Sequence, residues 1–417
     1  MLLSRLKQQA GLLRDYFSLI SGSAGRLVIS LAYFVALANT LSIGGFGVFA
    51  TASATGVVLS RLVSFGFVSP LYRIATVKPQ LLGIYTAGYL AAIALSLPAV
   101  AAAAWAVHAL FFGNDINLTG FALIIVAEAL FWRSTEAIII VNNGLNRFGR
   151  GAILTIFGTA MRAVAAVLFA FLAPKGDLAH WAWWYFIANG ISLLVALWFY
   201  PRVRLRFAPA LYLRHVSDAL AVTGAEMLFY VQTELDKLLV LSIGGPRIAG
   251  IYAILMRLVD LTAMPIRSFN MMLVQRLMRK PDMLDSLKIK AGLECGVFLV
   301  STLALAALSL FLYFVPNALG DKVAQIVVLL PLILLVPGFR NLTEYQAELL
   351  YARGQSARRT VNLAVLTGAK GLVIWLLFTH FGADDAWVAW LNAVFAGLYL
   401  ISLCLTYSAL RRPAKRV

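Results

Sequence analysis

Leu41-Ser42-Ile43-Gly44-Gly45 recurs as Leu241-Ser242-Ile243-Gly244-Gly245, each copy lying between two long apolar segments. The flanks repeat in the same order. Gly47-Val48-Phe49-Ala50 answers Gly250-Ile251-Tyr252-Ala253, and Arg61-Leu62-Val63 answers Arg257-Leu258-Val259. A lone pentamer in a Leu- and Gly-rich chain carries little weight. Three ordered matches at a near-constant offset read the chain as two copies of one membrane unit, an organisation that marks transporter architectures with the site where the halves meet.

Apolar residues make up 61% of the chain and charged ones 13%, and the mean hydropathy is +0.86. One aqueous core cannot hide that much apolar surface, so the solvent is lipid. Apolar runs predict an all-α polytopic membrane protein with about 12 spans, at 20–41, 45–68, 82–112, 118–141, 151–173, 180–200, 217–243, 247–272, 292–315, 323–350, 360–381 and 386–410. Bends are expected at Pro98, Pro331 and Pro337. Residues 1–19 place Arg5, Lys7 and Arg14 among Leu2, Leu6, Leu13 and Phe17, which predicts an interfacial amphipathic helix and no cleaved leader. Cys295 and Cys404 lie in apolar segments and are expected as small buried hydrophobes, without a disulfide or a metal.

The net charge of +17 is unevenly spread. Alternate loops are basic (Arg73 and Lys78; Arg147 and Arg150; Arg202, Arg204 and Arg206; Arg353, Arg358 and Arg359), as are both tails. The intervening loops carry Asp115, Asp177, Asp321, Asp384 and Asp385 against few bases. The positive-inside rule then places both termini in the cytoplasm. The basic charge faces anionic lipid headgroups, and nucleic acid is not a partner.

An arginine-rich linker at 201–216 divides an N-terminal lobe, 20–200, from a C-terminal lobe, 217–410, followed by a basic tail at 411–417. Two six-helix lobes in one orientation form a parallel repeat. The outer loops are short and offer little room for catalysis. Asp384-Asp385 reads as a solvated turn, no phosphate-binding glycine loop is present, and His108, His180, His215 and His380 are scattered. No catalytic or metal-ligating set is expected. Trp181, Trp183 and Trp184 read as an interfacial belt.

Charges inside the spans cost about 3 kcal/mol each at the bilayer centre, so they face water or one another. Arg267, Glu294, Glu348 and Arg340 lie near span ends, where they can snorkel. Glu128, Arg133 and Glu136 have helical ion-pair spacing. Arg26, Arg61 and Arg162 have no acidic partner on their own span. Arg257 repeats Arg61, and Lys370 takes roughly the place of Arg162. These five form a candidate anion-binding cavity, because guanidinium forks match phosphate oxygens. The competing reading has them pair with Glu128, Glu136, Asp236 and Asp260 across helices. Asp236, Lys237 and Asp260 are candidates for ion coupling, to protons or sodium, or for gating. Asn39, Asn142, Asn189 and Asn392 can bond sugar hydroxyls or neighbouring helices equally well.

The stretch Glu234-Leu235-Asp236-Lys237-Leu238-Leu239-Val240-Leu241-Ser242-Ile243-Gly244-Gly245, followed by Gly250-Ile251-Tyr252 and Arg257, resembles the start of the second half of Wzx-type bacterial polysaccharide flippases. These belong to the multidrug/oligosaccharidyl-lipid/polysaccharide (MOP) exporter superfamily. Gly44-Gly45 with Gly47-Val48-Phe49 is similar to the first-half counterpart. The resemblance implies two lobes around a central cavity in the bacterial inner membrane. It further implies alternating access that moves a polyprenyl-diphosphate-linked oligosaccharide from the inner to the outer leaflet, alongside polysaccharide polymerase and chain-length machinery. It places Arg26, Arg61 and Arg257 on the diphosphate; no cofactor is expected beyond coupling to a proton or sodium gradient. Two rivals stand beside it: a cation-coupled multidrug exporter of the same superfamily, and a membrane glycan polymerase or ligase using Asp115 or Asp384-Asp385.

Overall fold

The structure, a computed structural model, describes residues 25, 27–173, 176–279, 287–382 and 386–411. Among them every regular element is helical. In chain order these are α1 (Leu27–Thr40), α2 (Ile43–Leu59), α3 (Val68–Val77), α4 (Leu82–Val107), α5 (Leu118–Val126), α6 (Arg133–Gly144), α7 (Phe148–Leu172), α8 (Leu178–Trp198) and α9 (Pro209–Leu213). There follow α10 (Val216–Arg279), α11 (Leu287–Phe314), α12 (Asp321–Val327), α13 (Val336–Ala352), α14 (Ser356–Phe381) and α15 (Trp387–Leu410). Seven helices in the described residues are long and apolar enough to cross a membrane, or eight if the pair α12 and α13, bent by 55°, is one span. The amphipathic helix expected at 1–19 and the tail at 411–417 lie outside the described residues, Arg411 excepted.

Contacts divide the described residues into two compact units. One runs from Ala32 to Ala253, and the other holds the rest.

In the 32–253 unit, short polar side chains start the helices. Ser42 accepts from the Gly45 amide (3.0 Å) at α2, Asn117 from Gly120 (2.8 Å) at α5, and Asp177 from His180 (3.0 Å) at α8. The two glycine repeats meet each other. A Cβ added to Gly47 would overlap the Gly250 amide, and one added to Gly250 would overlap the Ile43 carbonyl. Glycine is required there because backbone packs on backbone. Gly245, at φ 77°, breaks the long helix α10.

The span expected as continuous over 45–68 is broken. Ser64 (φ 62°), Phe65 (φ 43°) and Gly66 (φ 72°) lie in the left-handed region between α2 and α3. Non-glycine residues there cost about 1–3 kcal/mol each and persist only where packing over-determines them. Here Gly66 sits against the Ala219 carbonyl with no room for a Cβ, and the Ser64 amide, outside the helical ladder, donates to Ser96 Oγ at 3.0 Å. The segment expected as the linker, 201–216, is tied to this unit: Tyr212 Oη donates to the Ile84 carbonyl (2.8 Å), and Gly83 abuts the Arg204 carbonyl.

Trp181 corrects the interfacial-belt expectation. It is fully buried, with Phe49, Phe169 and Tyr185 at ring distances of 5.7, 5.4 and 5.7 Å, whereas Trp183 is exposed. Adjacent residues on a helix face different ways, so a Trp cluster in sequence does not share one surface.

In the other unit the tenth expected span bends where its prolines lie. Pro331 sits in a 3₁₀ turn, Leu330–Ile333, and Pro337 in the first turn of α13. Asn392 of α15 patches the break, donating to the Leu332 carbonyl (2.6 Å) and accepting from the Leu335 amide (3.2 Å). Val297, Leu342, Leu349, Leu350 and Leu410 are buried together between α11, α13 and α15. Cys295 and Cys404 are exposed rather than buried. The outward face of a membrane helix meets hydrocarbon, so a thiol gains little by turning inward.

Candidate functional site: charges in the apolar helices

The break between α2 and α3 follows directly on Arg61, one of the anticipated arginines. Arg61 is 5% exposed. Its Nη1 lies 3.0 Å from Glu136 Oε2 and 3.8 Å from Glu226 Oε2, and its guanidinium stacks 4.1 Å over the Tyr230 ring. Arg133 joins the same two carboxylates, at 2.7 Å to Glu136 and 3.1 Å to Glu226. Two arginines and two glutamates from three segments, the turn after α2, α6 and α10, therefore form one network. Both arginine side chains are nearly buried, while those of Glu136 and Glu226 are 29% and 40% exposed. Desolvating one such ion alone costs several kcal/mol, and pairing it within the unit offsets that cost.

Arg162 belongs to a separate cluster. A turn of π-helix, Ala127–Trp132, carries Glu128 into the interior between α5 and α6; such turns recur at functional positions. Arg162 Nη2 lies 3.4 Å from Glu128 Oε2 and 2.7 Å from Asn189 Oδ1, and the guanidinium is 4.3 Å from the Trp132 ring. Glu128 also accepts from Ser53 Oγ (2.7 Å) and Tyr185 Oη. Asn189, considered above for sugar, is committed to Arg162 and to the Tyr185 carbonyl; Asn142 donates to Ile138 O.

Of the coupling candidates, Asp236 is buried and accepts from Tyr252 Oη, and Lys237 pairs with Glu234 one turn away. Asp260, in the other unit, lies 3.2 Å from Arg340 Nη2. Arg257 donates to Ser30 Oγ of α1. Among the described residues that neutral hydroxyl is its recorded partner, and no carboxylate lies within ion-pair range of it. Lys370 is 5% exposed on α14. Arg26 lies outside the described residues.

The structure therefore separates Arg61 from Arg162 within one unit, and in the other it gives Arg257 to Ser30 and Asp260 to Arg340. It adds Arg133, Glu226 and Tyr230 to the Arg61 network. The Arg133–Glu136 spacing was visible in the chain; Glu226 and Tyr230 arrive from a distant segment.

Near the first repeat a cavity of about 580 Å³ is lined by Ser42, Gly44, Asp115, Asp177 and Pro246. Burial pushes the Asp115 carboxyl above its usual range. Two carboxylates at its walls make it a poor host for a phosphate.

A helical protein with broken spans and paired charges in its apolar helices has solved counterparts. An inward-facing multidrug resistance MATE family transporter of the MOP superfamily superposes with a TM-score of 0.65 at 12% identity, over 93% of this chain and 94% of its own. The chain shares the fold of this solved transporter. An outward-facing MATE family member gives 0.58 at 12% identity, over 96% of this chain and 94% of its own. A MOP superfamily transporter from Pyrococcus furiosus Vc1 (DSM3638), in which reverse polarity of the binding pocket suggests a different function, gives 0.59 at 12% identity, over 96% of each chain. No protein-family model and no curated protein matches the sequence significantly. The shared fold and the apolar helices are those of a multi-pass membrane protein, and these solved counterparts are named as transporters.

Proposed function

We propose that the protein is a flippase that carries a polyprenyl-diphosphate-linked oligosaccharide from the inner to the outer leaflet of the bacterial inner membrane, for surface polysaccharide synthesis. The observation that carries this reading is Arg257. It is a permanent cation on an apolar helix whose described partner is only the Ser30 hydroxyl. A guanidinium without a carboxylate retains donors for an anion. Twelve crossings, cytoplasmic termini and two six-helix lobes belong to the same proposal.

Moving a diphosphate and many hydroxyls through bare hydrocarbon would strip their water. A cationic cavity that opens to each side in turn lowers that barrier, and differential binding in the two states drives the exchange. Arg257 is the first diphosphate ligand in this scheme, with Arg26 from the sequence reading. Arg61 joins them only in a state where Glu136 or Glu226 releases it. Arg162 and Lys370 are proposed to tune the field, and Asp236, Lys237 and Asp260 to couple or gate the motion. The P. furiosus transporter supports the reading in one respect: the same fold is associated there with a pocket of reversed polarity and a different function.

The alternative is multidrug export, the activity named for the MATE counterparts. Deletion of the gene, with mass spectrometry of lipid-linked oligosaccharides by leaflet, decides between them. Complete repeat units held on the cytoplasmic face support the flippase. Unchanged pools with raised drug sensitivity overturn it, and outer-leaflet units left unpolymerised favour the polymerase or ligase.

A further inference from the structure

The segment 201–216 has its main chain held on the 32–253 unit and its charged side chains turned outward. Val203, Ala208 and Leu211 pack on the apolar core of α3, α4 and α6. The Arg204 carbonyl abuts Gly83, where no Cβ would fit. Tyr212 Oη accepts from the Ala208 amide (3.0 Å) and donates to the Ile84 carbonyl (2.8 Å), with the Arg206 carbonyl at 3.2 Å.

Held in this way, the segment presents Arg202, Arg204, Arg206 and Arg214, all exposed. Among the described residues none of the four has a carboxylate within ion-pair range, whereas Arg61, Arg133, Arg162, Arg340 and Arg359 each meet one. Asp218, one turn beyond Arg214, is the nearest acid in sequence, and it too is exposed and pairs with none of them. Large apolar side chains stand in the same stretch: Leu205 is 56%, Phe207 68% and Leu213 73% exposed. The Phe207 ring meets the anchored Tyr212 edge-on at 5.4 Å.

A loop that only follows the charge asymmetry of membrane proteins needs neither a fixed main chain nor exposed apolar side chains. Arginines interleaved with exposed Leu and Phe fit a surface that offers phosphate oxygens beside hydrocarbon, which is the surface of an anionic bilayer. Guanidinium forks match phosphate oxygens two at a time. An acidic protein would offer carboxylates without the hydrocarbon layer that Phe207 and Leu213 ask for.

We propose that residues 202–214 bind anionic phospholipid, with the arginines on headgroup phosphates and Leu205, Phe207 and Leu213 at the acyl boundary. The fold gives the site one side of the bilayer. α4 starts and α8 ends at this segment, and their far ends lead to Asp115 and Asp177, carboxylates that repel the same lipid. None of these arginines belongs to the apolar helices, so the site is separate from the residues proposed for the diphosphate and does not depend on the cargo.

The test titrates the full chain, in a neutral detergent, with short-chain phosphatidylglycerol and with phosphatidylcholine of the same chains. Native mass spectrometry reads the bound lipid. The expected result is a preference for phosphatidylglycerol that falls about fivefold for each of Arg202→Gln, Arg204→Gln and Arg206→Gln, the equivalent of about 1 kcal/mol per arginine at a charged lipid surface. Phe207→Ser with Leu213→Ser should weaken phosphatidylglycerol binding at unchanged charge. Lys78→Gln, Arg147→Gln and Arg150→Gln together remove as many charges from other basic loops and should leave the preference in place. Equal binding of the two lipids by the wild type overturns the proposal. So does a loss in the control triple that equals the loss in the combined linker triple, because diffuse charge would then suffice. Unchanged binding in the Phe207 and Leu213 variant overturns the mixed polar and apolar site. A poly-glutamate peptide bound with no preference between the lipids would make the partner an acidic protein and overturns it too. Every substituted side chain is exposed, and where a combined variant does not fold, the single ones decide.

Discussion

Gly47 and Gly250, equivalent residues of the internal repeat, touch through their backbones. A Cβ on Gly47 would overlap the Gly250 amide nitrogen, and one on Gly250 would overlap the Ile43 carbonyl. The contact is close only because both residues lack side chains.

Gly47→Ala and Gly250→Ala should each cost about 1–3 kcal/mol, since backbone atoms cannot move aside as a side chain would. Thermal unfolding in detergent measures this. Gly224→Ala is the control: its Cβ meets nothing within 4 Å on α10, so it should be neutral or stabilise by up to about 1 kcal/mol. Equal loss in all three would remove the close-packing account.

The Arg162–Glu128 pair should behave as a unit. Arg162→Met leaves a buried carboxylate without its cation and should cost about 3–5 kcal/mol. Adding Glu128→Gln to that variant should recover part of the loss, because the stranded charge disappears. A double-mutant cycle on unfolding free energy reads the coupling, and additivity would show that the two side chains act independently.

Arg257→Ala should abolish glycan export while the protein is still made and folded. The residue touches a neutral serine, so folding loses little. Arg257→Lys keeps the charge without the planar fork and should retain partial export. Wild-type export in Arg257→Ala would count against an anion held there.

Asp177 should show an acid-limited contribution to stability. The His180 backbone amide, and then its ring, donate to this carboxyl and hold it below the usual carboxylate range. A depressed value in the folded state means that the stabilisation is present above the unfolded value, about 3.9, and is lost as pH falls through the lower folded one. Asp177→Ala should therefore lower stability by about 1 kcal/mol at neutral pH through loss of the helix cap. The gap from wild type should narrow in strong acid. Unfolding midpoints of both proteins at neutral and acid pH test the sign.

Much of the functional chemistry was legible as a set of residue types, and little of it as a set of partners. The Arg133–Glu136 pair could be seen because i,i+3 spacing places two side chains on one helix face. The Arg61 network needed Glu226, which is far away in the chain, and no spacing rule reaches it. Glu294 was misjudged for the same reason. Position near a span end suggests snorkelling, but Glu294 accepts from Tyr399, Tyr407 and Gln346, which come from two other helices.

The sequence by itself determined that the chain is helical and lives in lipid, because an apolar run of spanning length has few other ways to satisfy its backbone. It also exposed the repeat, the prolines at the bend before α13, and the types of charge buried in the helices. Only the tertiary structure decided where α2 ends, since Ser64 and Phe65 adopt left-handed conformations against the preference of their residue types, held by Gly66 on Ala219 and by Ser96. The same packing decided which carboxylates meet a guanidinium and which meet only hydroxyls and an amide. Periodicity assigns a side chain to a face of its helix, whereas its protonation and its partners depend on what the other helices bring to that face.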